Sequence, residues 1–175
     1  MTTTDSTELK VMNILFWSAF IALCCKTANI LIVFLTSLFL HSKAANDLYM
    51  GLDLFDLYSY NKLHYTCTVS LLIVLTGLKA YIAYFVVKFF WKFNLSKPFN
   101  NNLTELFVRI SHLAVGTAAL ALIAHNYAKS IMKKGIAIPI DWGSNEILFF
   151  AGVIYLLAFV FKKGAELQTE NDLTV

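Results

Sequence analysis

Four long runs of apolar residues, separated by polar segments, dominate the pattern of the chain. They cover about residues 13–40, 65–90, 106–132 and 146–163. A hydrocarbon core about 30 Å thick needs about 20 apolar residues, because a helix rises about 1.5 Å per residue. The pattern therefore predicts an all-α protein, in which a single domain of four transmembrane helices forms a bundle.

The composition points to the same environment. Of the 175 residues, 58% are hydrophobic and 14% are charged, and the mean hydropathy is +0.66. Soluble domains carry about 25% charged residues, and a soluble fold of this size could not bury so much apolar surface. The first run is too long for the core of a cleaved signal peptide, so we expect it to remain as a span.

The distribution of lysine and arginine sets the expected orientation. Four spans place both termini on one side, and that side carries seven basic residues in and near its loops, compared with five on the other. Cytoplasmic loops are enriched in lysine and arginine. We therefore expect both termini in the cytoplasm, outer loops at 41–64 and 133–145, a cytoplasmic loop at 91–105 and a cytoplasmic tail at 164–175.

The larger outer loop mixes acidic residues with leucine, phenylalanine and tyrosine. Residues 53–60 read Asp-Leu-Phe-Asp-Leu-Tyr-Ser-Tyr. This pattern is typical of a segment at the membrane interface, where aromatic rings settle at headgroup depth. The second outer loop contains Pro139 and Trp142, and we expect it to pack against the first.

Two lysines lie near the centres of apolar runs, Lys26 in the first and Lys79 in the second. A charge at the bilayer centre costs at least about 2.5–3.5 kcal/mol, so such residues suggest a function. The four runs contain no deep Asp or Glu. Asn29 shares a helix face with Lys26. If Lys79 and Thr76 of the second run face these residues, the four side chains form a polar cavity that could hold an anionic or lipid-like ligand. The alternative is that the lysines hydrogen-bond to Ser, Thr and backbone groups inside the bundle.

Three histidines fall near the outer ends of the spans, at His41, His64 and His125. Haem and metal ions are bound by facing histidines of this kind, so a haem-binding or metal-binding bundle is one hypothesis. No spacing matches a known metal motif, and structural histidines are the simpler interpretation. We therefore expect no cofactor.

The chain lacks the sequence motifs of common enzymes. It contains no G-x-S-x-G, no H-E-x-x-H, no phosphate-binding loop and no pair of intramembrane carboxylates. It also shows no inverted repeat of the kind that builds secondary transporters. No basic stripe with interleaved aromatic residues indicates direct contact with nucleic acid. The sequence therefore predicts a protein that is not an enzyme.

The carboxyl-terminal tail follows two lysines and is acidic and partly apolar. The lysines would lie at the anionic leaflet of the membrane. A tail too short to fold alone suits docking to another protein, and a frayed terminus is the alternative. The residues that would contact a partner are Glu166, Leu167, Glu170, Asp172 and Leu173.

The tail carries a family resemblance. The ending Gly164-Ala165-Glu166-Leu167-Gln168-Thr169-Glu170-Asn171-Asp172-Leu173-Thr174-Val175 resembles the closing motif of the YoaS-like bacterial membrane proteins, a family of unknown function. Pro98-Phe99 resembles the Pro-Phe turn of that family, with Asn100 in place of the usual serine. The resemblance implies a four-span bundle in the bacterial inner membrane, often encoded beside a small helix-turn-helix regulator.

Two functions follow as expectations, with a haem-binding or metal-binding bundle as a third. The first is a non-enzymatic sensory or regulatory protein that docks a cytoplasmic transcriptional regulator through its tail. The alternative is a binding protein or small carrier for an anionic or lipid-like ligand, held at Lys26 and Lys79.

Overall fold

The computed structural model describes residues 3–92 and 101–173 and confirms the all-α class. The long helices are α1 (Thr3–Phe39), α3 (Lys62–Lys92), α4 (Asn101–Met132) and α5 (Ser144–Leu173). A 3-10 helix (Ser42–Asp47) and the short α2 (Phe55–Tyr60) lie between α1 and α3. Each of the four long helices is long and apolar enough to cross a membrane. The Pro98-Phe99 turn and the last two residues of the tail lie outside the described residues.

The helices extend beyond the apolar runs that predict them. Helix α1 begins at Thr3 rather than near residue 13, and α4 begins at Asn101 rather than near residue 106. An extension also occurs at the tail, which continues α5 to Leu173 instead of staying unfolded. Extending an existing helix avoids the cost of nucleation, so a short segment folds here that would not fold as an isolated peptide.

The helices pack in the order of the sequence, with α1 on α3, α3 on α4 and α4 on α5. Among the described residues, no Cα atom of α1 lies within 8 Å of a Cα atom of α5. In the most apolar parts of α3 and α4, 33% and 39% of residues are buried, compared with 11% in α1 and 17% in α5. The bundle therefore has α3 and α4 at its centre and is open between α1 and α5.

The loop between α1 and α3 folds back into the bundle. Its residues Leu48, Leu54 and Leu57 are at most 1% exposed and belong to the same apolar cluster as Tyr65 of α3. The loop between α4 and α5 contributes Trp142 to this cluster. We call the two loops, residues 40–61 and 133–143, the cap, and the opposite end of the bundle the tail end. The apolar residues of the first loop thus build the protein core and are not confined to the membrane interface.

A buried hydrogen bond joins α1 to α3 beneath the cap. Ser37 Oγ and Tyr65 Oη lie 2.7 Å apart, and the two residues are 1% and 0% exposed. The Tyr65 ring also packs against Phe34 of α1 and Tyr58 of α2, with centroid distances of 5.9 and 5.1 Å. Tyr65 therefore connects two transmembrane helices to the cap.

Replacing Tyr65 by Phe should lower the free energy of unfolding by about 1 kcal/mol, because one buried hydrogen bond is lost while the ring remains. Ser37 keeps its hydrogen bond to the Phe34 carbonyl oxygen, which limits the loss. Thermal unfolding in detergent measures the effect, and Tyr60→Phe at an exposed position is the matched control. Equal stability of the two variants would contradict the role given to this hydrogen bond.

Candidate functional site

The structure brings the two central lysines together inside the bundle. Ring contacts between Phe16 and Phe90 and between Phe34 and Tyr65 show that α1 and α3 are antiparallel, so the middle of one helix faces the middle of the other. Lys26 and Lys79 are both partly buried, and their charges act on each other. Two lysine side chains near each other in an apolar environment favour compensating groups beside them.

The cap supplies groups that compensate the lysines. Lys26 Nζ lies 5.2 Å from the centroid of the Tyr49 ring, which is a cation–π distance. Asp141, in the loop between α4 and α5, acts on Lys79 as an opposite charge. One carboxylate oxygen of Asp141 also accepts a hydrogen bond from the Gly143 backbone N–H at 2.9 Å, which helps to orient the group. The candidate site is therefore formed by Lys26, Lys79, Tyr49 and Asp141.

The sequence alone did not reveal Tyr49 and Asp141 as members of this site. A search for acidic residues within the apolar runs passes over both, because they belong to the loops. Tyr49 and Asp141 lie in different loops, and they come near the lysines only when the cap folds into the bundle. The one signal was the aromatic and acidic character of the first outer loop, which contains Tyr49 and which we interpreted as an interfacial segment; no such signal marked Asp141 in the second loop.

Thr76 and Asn29, the other residues predicted to line a polar cavity, are placed differently from the lysines. Thr76 is buried and donates its hydroxyl to the carbonyl oxygens of Leu72 and Ile73, at 2.9 and 3.0 Å. Its hydrogen bonding is thus satisfied by its own helix. Asn29 is exposed.

The three outer histidines occupy separate surroundings. His64 Nδ1 lies 2.7 Å from the Tyr127 hydroxyl, and the Tyr60 ring stacks on its imidazole. His41 is exposed after the end of α1, and His125 is exposed on α4. Within the described part of the chain, no three His, Cys, Asp or Glu side chains form a group that could hold a metal ion. Haem or metal binding by these histidines stays a prediction.

A groove of about 600 Å³ lies at the tail end, between the start of α4 and the end of α5. Two of its carboxylates form ion pairs: Glu105 with Arg109 and Glu166 with Lys163, both at 2.7 Å. We call it the tail groove, and its lining residues are Thr104, Glu105, Val108, Lys162, Ala165, Glu166 and Glu170.

The predicted docking residues lie on the helical tail beside this groove. Glu166 and Glu170 line it, and Leu167 is 61% exposed. Ala165 is buried, which indicates that the tail packs against the protein at this point. The side chains of Asp172 and Leu173 lie outside the described part of the structure.

These features define a multi-pass membrane protein built as a four-helix bundle with a folded cap. No protein-family model, no curated protein and no solved structure matches the chain significantly. The resemblance to the YoaS-like proteins therefore stays a prediction that depends on the tail sequence and on Pro98-Phe99.

The contact between Lys26 and Tyr49 is testable by a double-mutant cycle with Lys26→Met and Tyr49→Leu. A partly buried cation–π pair should show a coupling free energy of about 1–2 kcal/mol in unfolding measurements. The chain provides a control in Lys62 and Tyr58, which lie at a similar distance of 5.4 Å, with Lys62 exposed. This second pair should couple by only about 0.5 kcal/mol. Equal couplings would show that burial does not strengthen the Lys26 contact.

Proposed function

We propose that this protein is a non-enzymatic sensory or regulatory protein of the bacterial inner membrane, whose helical tail docks a cytoplasmic transcriptional regulator. The proposal depends on one observation, which is the helical structure of the tail and the groove beside it. The tail extends α5 past the last apolar residues and, together with the start of α4, encloses the tail groove. A helix beside a groove is a common element of protein recognition.

The charge of the tail groove suits a DNA-binding partner. Glu105, Glu166 and Glu170 line it together with one lysine, Lys162. Glu105 and Glu166 also form ion pairs, but both pairs are exposed, so a basic partner can replace the cations that they hold. DNA-binding proteins carry basic surfaces, and opposite charges on two partners speed their encounter and favour the correct orientation. Leu167, exposed next to these acids, would add an apolar anchor.

The continuity of α5 supports a sensory role. The helix runs from Ser144, directly after the cap, to Leu173 in the tail, a length of about 45 Å at about 1.5 Å per residue. Small shifts of packed helices are an established way of passing a signal through a protein. A change in the cap would therefore move the tail and alter its affinity for the regulator.

Replacing Leu167 by Ala should weaken docking by at least about tenfold, because burial of a leucine side chain contributes about 1.5–3 kcal/mol. The measurement is a cross-linked pull-down from the native host in mild detergent, in which the recovered small DNA-binding protein is quantified. A chain truncated after Lys163 should recover none of it.

Leu156→Ala is the matched control for this experiment. Leu156 lies on the same helix and is similarly exposed, at 66%, but it belongs to the apolar segment that faces lipid. It should leave recovery unchanged. The docking proposal fails if the truncated chain recovers the DNA-binding protein as well as the full chain does.

A second candidate function is the binding of an anionic or lipid-like ligand at the central lysines. It is favoured by the composition of the site, which contains two lysines, Lys26 and Lys79, and one nearby carboxylate, Asp141. An anionic group placed between the lysines would remove the remaining repulsion.

Lys79→Met should abolish retention of such a ligand through purification, because methionine keeps the volume of the side chain and removes its charge. Native mass spectrometry of the purified protein measures retention. Lys88→Met, on the same helix and also partly buried, is the control. If Lys79→Met retains as much co-purified ligand as the control, the lysines do not form a ligand site. The docking function predicts little effect of either change.

A further inference from the structure

A groove of about 410 Å³ lies at the opposite end of the protein, between the last turns of α4 and the loop that follows. It is separate from the tail groove and shares no lining residue with it. We call it the cap groove, and its lining residues are His125, Ala128, Lys129, Met132, Ile138, Ile140 and Trp142.

Trp142 leaves a polar group unsatisfied beside this groove. The residue is only 4% exposed, and its indole Nε1–H is buried without a hydrogen-bond partner among the described residues. Buried donors are nearly always paired, because an unpaired donor loses its hydrogen bond to water without replacement. Because Trp142 also lines the groove, a small rotation of its indole would expose this N–H to an acceptor that comes from outside the protein.

The other polar groups of the cap groove are also donors. Lys129 offers three N–H groups and a positive charge, and the His125 imidazole carries an N–H in either tautomer. Carboxylates are missing from the described lining. Asp141, adjacent to Trp142, acts on Lys79 and accepts the Gly143 N–H. The groove thus matches the oxygen atoms of an anion.

The position and the walls of the groove identify the kind of anion. Helix α4 is about 48 Å long, whereas the hydrocarbon core is about 30 Å thick, so the last turn of α4 reaches the headgroup region. Lys129 lies in that turn. Beside the donors, the walls are apolar: Met132 is 51% exposed and Ile138 is buried. A phospholipid matches both features, because its phosphate accepts hydrogen bonds and its acyl chains cover apolar surface.

We infer that the cap groove binds the headgroup phosphate of an anionic phospholipid, held by the Trp142 indole N–H and the Lys129 ammonium group. The nearby Lys133 and Lys134 add positive charge at this end of α4, which favours an anionic lipid over a zwitterionic one. The inference does not rest on the docking of a regulator, because the two sites lie at opposite ends of the bundle.

The test uses the full-length protein, purified and stripped of lipid in a neutral detergent. Phosphatidylglycerol, phosphatidylcholine and inorganic phosphate are titrated separately. Thermal unfolding reports stabilisation, and native mass spectrometry reports bound lipid. Phosphatidylglycerol should raise the unfolding temperature and stay bound, phosphatidylcholine should do so more weakly, and inorganic phosphate should have no effect because it cannot cover the apolar walls.

Two variants locate the site. Trp142→Phe and Lys129→Gln should each weaken phosphatidylglycerol binding by about tenfold, the effect of losing one hydrogen bond to a charged group. Lys134→Gln removes the same charge from outside the groove lining and should change binding much less. In lipid-free detergent, Trp142→Phe should be at least as stable as the natural protein, because the donor it removes has no partner within the described protein.

Three results would overturn the inference. One is phosphatidylglycerol binding that neither Trp142→Phe nor Lys129→Gln weakens. Another is equal stabilisation by inorganic phosphate, which would make the groove a site for a soluble anion. The third is a Trp142→Phe variant that is already destabilised without lipid, which would give the indole N–H a structural role.

Discussion

Two lysines within apolar helices need polar or aromatic partners, and the cap supplies them. Lys26 and Lys79 lie on adjacent helices in a region where lipid offers no hydrogen bonds and little screening. The protein compensates them with Tyr49 and Asp141, which arrive from two different loops. Both loops fold into the bundle, and the leucines of the first loop and Trp142 of the second belong to the largest apolar cluster among the described residues.

The four helices do not close into a ring. Among the described residues, α1 and α5 do not pack on each other, and most of their surface is exposed. Small residues occupy buried positions of α3, α4 and α5, such as Ala80, Ala118 and Ala151. Small side chains allow transmembrane helices to approach closely. Packing between neighbouring helices and insertion of the cap together stabilise the bundle.

The two ends of the bundle have opposite chemical character. At the tail end, the groove carries three carboxylates, whereas the described lining of the cap groove contains a lysine, a histidine and a tryptophan and no carboxylate. Helix α5 begins directly after the loop that holds Trp142 and ends in the tail. The loop that holds Trp142 and the helical part of the tail groove thus lie at the two ends of one helix.

The number, the approximate bounds and the membrane-spanning character of the helices could be read from the sequence. Hydropathy is a local property, and each transmembrane helix satisfies its own backbone hydrogen bonds. Lys26 and Lys79 could also be picked out as candidates, because a lysine within an apolar run stands out without knowledge of its neighbours. Their partners Tyr49 and Asp141, the unpaired indole of Trp142 and both grooves were decided by the tertiary structure alone. Each of these depends on the distance between residues far apart in the chain, and that distance is set only when the loops fold back onto the helices.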